Sequence, residues 1–93
     1  STLKDELIEL KKLIEKEPLK IEVDTDEQGH ILEFVGPKTI AIALEKATGK
    51  KIDRKKVILI NNVVTLGLYE AQVRLNNEIF ATIIIHVVEK PSK

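Results

Sequence analysis

A strand–turn–strand pattern near the C-terminus constrains this chain more than any other feature. Tyr69, Ala71, Val73 and Leu75 alternate with Glu70, Gln72 and Arg74, a two-residue period that gives a strand one apolar and one polar face. Asn76-Asn77-Glu78 follow, and then Ile79 to Val88 is nearly continuous in apolar character, interrupted by Thr82 and His86. So short a connection permits only antiparallel pairing, which predicts a hairpin over residues 69–88. A strand apolar on both sides belongs at the centre of a sheet, covered on two faces. Upstream, a basic turn, Ile52-Asp53-Arg54-Lys55-Lys56-Val57, and a glycine corner, Val64-Thr65-Leu66-Gly67, lead into this hairpin.

The first half supplies helices and one more strand. Residues 2–17 read as a helix, because Leu3, Leu7, Leu10 and Ile14 are spaced four, three and four and draw one apolar stripe, widened by Ile8 and Leu13. Thr2 with Asp5 resembles a capping box, and Pro18 disfavours the α conformation at Glu17. The stripe either docks on the domain's own sheet or belongs to an exposed connecting helix. Leu19, Ile21 and Val23 alternate with Lys20, Glu22 and Asp24, a half-buried strand. Thr25 to Gly29 is an acidic turn, and Ile31 to Val35 is a further short extended candidate. Gly36-Pro37 opens a second helix with its buried face marked by Ile40, Leu44 and Ala47, and Gly49 ends it in the left-handed conformation. Ile42 falls on the opposite face, where a monomer core gives it no role. Asp53 caps one further helical turn through Lys56, and Val57 to Ile60 is a short apolar strand before the turn Asn61-Asn62. The expected core is Ile21, Val23, Ile40, Leu44, Val57, Leu66, Tyr69, Val73, Ile83, Ile85 and Val87.

Ninety-three residues suit one domain. Phe34, Tyr69 and Phe80 are the only aromatic residues, so Ile, Leu and Val must build the core. Cysteine is absent, which excludes a disulfide framework and a thiolate metal site. The longest apolar run is far short of a membrane span, and the charged, amphipathic N-terminus does not resemble a signal peptide.

The net charge of zero hides an asymmetry. Residues 1–36 hold five Lys against ten acids, −5, and residues 37–93 hold ten Lys and Arg against five acids, +5. Lys46, Lys50, Lys51, Arg54, Lys55 and Lys56 gather within eleven residues, with Asp53 the only acid among them. Such a cluster can contact several phosphates and release their counterions. It can equally be a solvated face favoured by the dipole of the helix ahead of it. No aromatic side chain interleaves with it, so stacking on single-stranded bases is not expected.

No catalytic set assembles. The hydroxyl residues lack a partner base, and Gly36 and Gly49 are isolated rather than part of a phosphate-cradling loop. His30 lies among Asp24, Asp26 and Glu27 without the spacing of a metal loop. His86 reads as a structural histidine within a strand, and the two Asn pairs read as turn residues. No enzyme activity, cofactor or metal is expected.

The order of basic turn, glycine corner, half-buried strand and apolar strand resembles the C-terminal domain of the ninth protein of the bacterial large ribosomal subunit. Lys38-Thr39-Ile40-Ala41-Ile42-Ala43-Leu44 resembles that family's first domain helix, and the resemblance extends over about residues 3–90. It implies an α/β (α+β) fold, a small mixed sheet flanked by helices, with residues 1–17 the end of a long connecting helix and 18–93 the globular domain. It also implies a structural constituent of the ribosome in the cytoplasm. A separate N-terminal domain would anchor to 23S ribosomal RNA, and the C-terminal domain would project as a spacer tied to reading-frame fidelity and ribosome packing. The isolated domain would be a monomer. The chain departs from the family at Glu33-Phe34, usually Gly-Ser, and near Gly36-Pro37, where a Ser or Thr is usual. It departs again at Asn76-Asn77, often His-Pro, and at Ile42, usually polar. The alternative is a free-standing protein-interaction module that uses Ile42 and Phe34.

Overall fold

A computed structural model describes residues 2–91. Ser1, Ser92 and Lys93, which fall within the expected domain bounds of 1–17 and 18–93, lie outside the described residues. Thr2 opens the first helix, α1 (Leu3–Glu15), with the expected capping box. Its hydroxyl accepts from the Asp5 amide at 3.2 Å, while the Asp5 carboxylate accepts from the Thr2 amide at 3.3 Å. The helix stops two residues short of the expected Glu17.

The chain continues through β1 (Leu19–Val23), α2 (Pro37–Thr48), a 3-10 turn (Arg54–Lys56), β2 (Val57–Leu59), β3 (Gly67–Arg74) and β4 (Phe80–Glu89). The strands lie in the order β1-β4-β3-β2. β4 pairs antiparallel with β3 and parallel with β1, so the sheet is mixed, and β3 pairs antiparallel with β2. The hairpin turn is closed by the Leu75 and Asn76 amides, which donate to the Ile79 carbonyl at 2.8 and 3.2 Å, and by Asn76 Oδ1, which accepts from the amides of Glu78 at 2.8 Å and Ile79 at 2.6 Å.

Both helices pack on one face of the sheet. Ala81, Ile83, Ile85 and Val87 of β4 meet Ala71 and Val73 of β3 and Leu19, Ile21 and Val23 of β1, beneath Ile14, Ile40, Ala41 and Leu44. The stripe of α1 divides along its length. Ile14 is buried and Leu7 and Leu10 are half-buried on the core, whereas Leu3 is 73% exposed.

Four expectations are corrected. β4 is central, but only one of its faces is covered: Phe80, Thr82, Ile84 and His86 point to solvent. Cross-strand polar partners, Arg74 beside Phe80 and Glu70 beside Ile84, flank the apolar residues on this face, which has no second layer among the described residues. Leu66 is exposed, because it shares parity with Leu68 and Glu70 on that open face, and Val63 fills the core instead. Ala47 is exposed at a hollow between α1 and α2, too short to reach across it, and Ala41 takes the buried place. Residues 31–35 form no strand. The chain there makes single bridges, Thr25 with Ile31 and His30 with Thr65, which fold the acidic loop back against the corner before β3.

Tyr69, half-buried, ties that corner to the strand. Its hydroxyl donates to the Thr65 carbonyl at 2.8 Å and accepts from the Thr65 amide at 3.3 Å.

Candidate nucleic-acid interface

The basic turn is built on a backbone held at several points. Gly49 takes φ 75°, the left-handed conformation that a side chain disfavours, and its amide donates to the Glu45 carbonyl at 2.8 Å. The Thr48 hydroxyl donates to the Leu44 carbonyl at 2.8 Å and accepts from the Lys50 amide at 3.2 Å. Ile52 is buried and roots the loop in the core. Asp53 caps the 3-10 turn as expected, its carboxylate accepting from the Lys55 amide at 2.9 Å. The Lys56 amide returns to the Asp53 carbonyl at 2.9 Å.

This frame holds Lys46, Lys50, Lys51, Arg54, Lys55 and Lys56 outward, all exposed. None of the six enters an ion pair among the described residues. Lys51 is the hub. It lines one groove with Arg54 and a second hollow with Lys56. Lys50 turns instead toward the flank of α1, while Lys46 and Lys55 border none of these depressions.

Two cations escaped the sequence reading. Lys38 joins Lys51 and Arg54 at the first groove, and Arg74 joins Lys51 and Lys56 at the second. Arg74 is held in place by donating to Asn77 Oδ1 at 2.7 Å. Antiparallel pairing of β3 with β2 puts the end of β3 beside the start of β2, a signal available once the register Val57 to Val73 is known.

The register also separates the charges. The basic turn enters the sheet where Val57 pairs with Val73 and the hairpin turns. The loop carrying Asp24, Asp26, Glu27 and Glu33 leaves from the other end, where Val23 pairs with Glu89. Lys90 is the cation at that end, 3.5 Å from Asp24 and 3.7 Å from Glu33. An anion therefore meets one attractive pole and one repulsive pole.

The other candidates have local roles. Asp26 accepts at one carboxylate oxygen from the amides of His30, 2.8 Å, and Gln28, 2.9 Å. The His30 amide above all, with the Gln28 amide and the His30 ring 3.6 Å away assisting, holds its carboxyl below the usual value. That is turn chemistry. His86 lies within β4, exposed on the open face beside Leu68 and Lys20. Among the described residues no three His, Asp or Glu side chains gather as a metal site would require.

The family described as ribosomal protein L9, C-terminal domain, matches residues 5–89. The chain belongs to this family. The chain is also similar to relatives called large ribosomal subunit protein bL9. It is 38% identical to that of Thermosipho africanus over 88 residues, which covers 95% of this chain and 58% of the relative. The protein of Halothermothrix orenii is 40% identical over 76 residues, covering 82% and 51%. That of Lysinibacillus sphaericus is 35% identical over 81 residues, covering 87% and 55%. The chain thus spans about half the length of the curated relatives it matches. The L9 C-terminal match begins inside α1 and covers every later helix and strand.

Proposed function

We propose that this chain is the projecting C-terminal domain of a structural, non-enzymatic protein of the bacterial large ribosomal subunit, and that its basic turn contacts ribosomal RNA. The L9 family match over residues 5–89 carries the first part. The second is supported by six exposed cations on a braced backbone, free of ion pairs among the described residues. In this reading residues 1–17 end a connecting helix and residues 18–93 are the domain. A further N-terminal domain supplies the main hold on 23S ribosomal RNA, the protein resides on cytoplasmic ribosomes, and the isolated domain is a monomer in dilute solution. Phosphate backbone is the ligand, because cations without interleaved aromatics read charge rather than bases.

Co-sedimentation with purified bacterial large subunits across a salt series tests this. A variant with Lys50, Lys51, Arg54, Lys55 and Lys56 changed to Ser runs beside the parent. Pelleting that weakens with salt and is lost in the variant is the expected result. Equal pelleting of the two proteins, or none at low salt, would remove the basic turn as a contact surface.

A further inference from the structure

One exposed stripe of α2 has the pattern of a self-complementary contact. Lys38, Ile42 and Glu45 follow one another at four and three residues, and all three line the groove floored by Ala41 and Ile52. Ile42 is 48% exposed, an apolar side chain between a cation and an anion. The midpoint of Lys38 and Glu45 falls between Ala41 and Ile42. A second copy of the helix laid antiparallel about that point sets each Lys38 against the partner copy's glutamate and brings the two isoleucines together at the axis. Laid parallel, it sets like charges together. Only the antiparallel arrangement is complementary.

The placement of the charges adds an independent argument. A helix favours acids in its first turn and bases in its last. α2 has no acid in its first turn, where Lys38 stands, and Glu45 begins its last turn. Both charges oppose the helix's own dipole, and an antiparallel partner helix reverses the field that each one meets. Neither Lys38 nor Glu45 forms an ion pair within the chain among the described residues.

We propose that the α2 stripe Lys38–Ile42–Glu45 is a two-fold contact between copies of this chain. This goes beyond the ribosomal reading; the stripe borders the groove that Lys51 and Arg54 of the basic turn also line, but its test involves no RNA. Such a contact is isologous and closes on itself, so it yields a dimer and no larger array. One face of a 12-residue helix is small, which places the contact in the weak, transient class. The chain is then monomeric when dilute and pairs at high local concentration.

Sedimentation velocity at low salt, from about 10 μM to about 1 mM, tests it. The parent chain should shift from monomer toward dimer across the series. Lys38→Glu and Glu45→Lys should each weaken association at least about tenfold, since each places two like-charge pairs across the axis. Ile42→Lys should abolish it. The decisive step is an equimolar mixture of the Lys38→Glu and Glu45→Lys proteins. One presents two carboxylates on the stripe and the other two ammonium groups, so the mixture should associate although neither protein does alone. Both changes suit the helix dipole, so α2 is not weakened by them; far-UV circular dichroism checks this. A parent chain monomeric at about 1 mM, association that survives both single changes, or a mixture that stays monomeric would each overturn the proposal.

Discussion

Glu15, the last residue of α1, accepts a hydrogen bond at 2.7 Å from the backbone amide of Thr82, 67 positions away in β4. The geometry follows from register. β1 begins to pair with β4 only at Leu19 and Ile85, so among the described residues the β4 edge below that point lacks a strand neighbour. The carboxylate takes that seat and fastens the helix to the sheet. Lys11, 2.8 Å from the other carboxylate oxygen, steadies it.

Acid should loosen this fastening. The Lys11 ammonium first, and the Thr82 amide next, hold the Glu15 carboxyl below the usual 4.5. A carboxyl depressed in the folded state contributes its full stabilisation above the unfolded value and loses it as pH falls through the folded value. Stability should therefore decline from about pH 4.5 downward, and Glu15→Gln should flatten that decline; because solvent screens this exposed pair, the change should cost well under about 1 kcal/mol at neutral pH. Urea titrations at several pH values measure both effects. An unchanged pH dependence would mean that the contact does not hold in solution.

The two faces of β4 should respond differently to truncation. Ile83→Ala deletes a buried side chain beneath the helices and should cost about 2–5 kcal/mol. Ile84→Ala, one residue on and 40% exposed, should cost less than about 1 kcal/mol. Equal losses in thermal or chemical denaturation would show that something covers the open face.

The same pair shows what the sequence could and could not convey. Alternation in β3 and the short Asn76 turn specify the hairpin, and nine of the eleven expected core residues are buried. Tyr69 is half-buried and Leu66 is exposed. The outer face of β4 was illegible because its apolar residues are flanked by polar neighbours on another strand, a relation that exists only after pairing. The basic turn was legible because its cations are contiguous. Lys38 and Arg74 come from elsewhere in the chain and join it only through the packing of α2 and the β2–β3 register.

Gly49→Ala should be destabilising by about 1–2 kcal/mol, although among the described residues nothing lies within 4 Å of an added methyl. The cost comes from the left-handed backbone and not from a clash. Because Gly49 sets the path into Lys50 and Lys51, the same variant should also weaken any pelleting with ribosomal subunits. Stability equal to the parent would mean that α2 ends differently in solution.

Arg74 supplies a finer test of the interface. Each phosphate contact contributes about 0.7–0.9 to the slope of log affinity against log salt. Arg74→Ser should lower that slope by about this amount if Arg74 shares the surface of Lys51 and Lys56. Arg74 also donates to Asn77, so Asn77→Ala serves as the control: it removes the hydrogen bond and leaves the charge. An identical slope for Arg74→Ser would place Arg74 outside the interface.

The parallel seam between β1 and β4 sets an order of events for a chain being made. Leu19 meets Ile85, and Val23 meets Glu89, so the pairing that closes the sheet joins nearly the two ends of the domain. The β3–β4 hairpin can form from neighbouring segments, whereas β1 must wait, exposed, until the last strand has been synthesised. A nascent domain of this topology holds its first strand unsatisfied until β4 has emerged. Its alternating Lys20 and Glu22 then serve a purpose in that interval, since charges along an unpaired strand discourage it from pairing with the wrong neighbour.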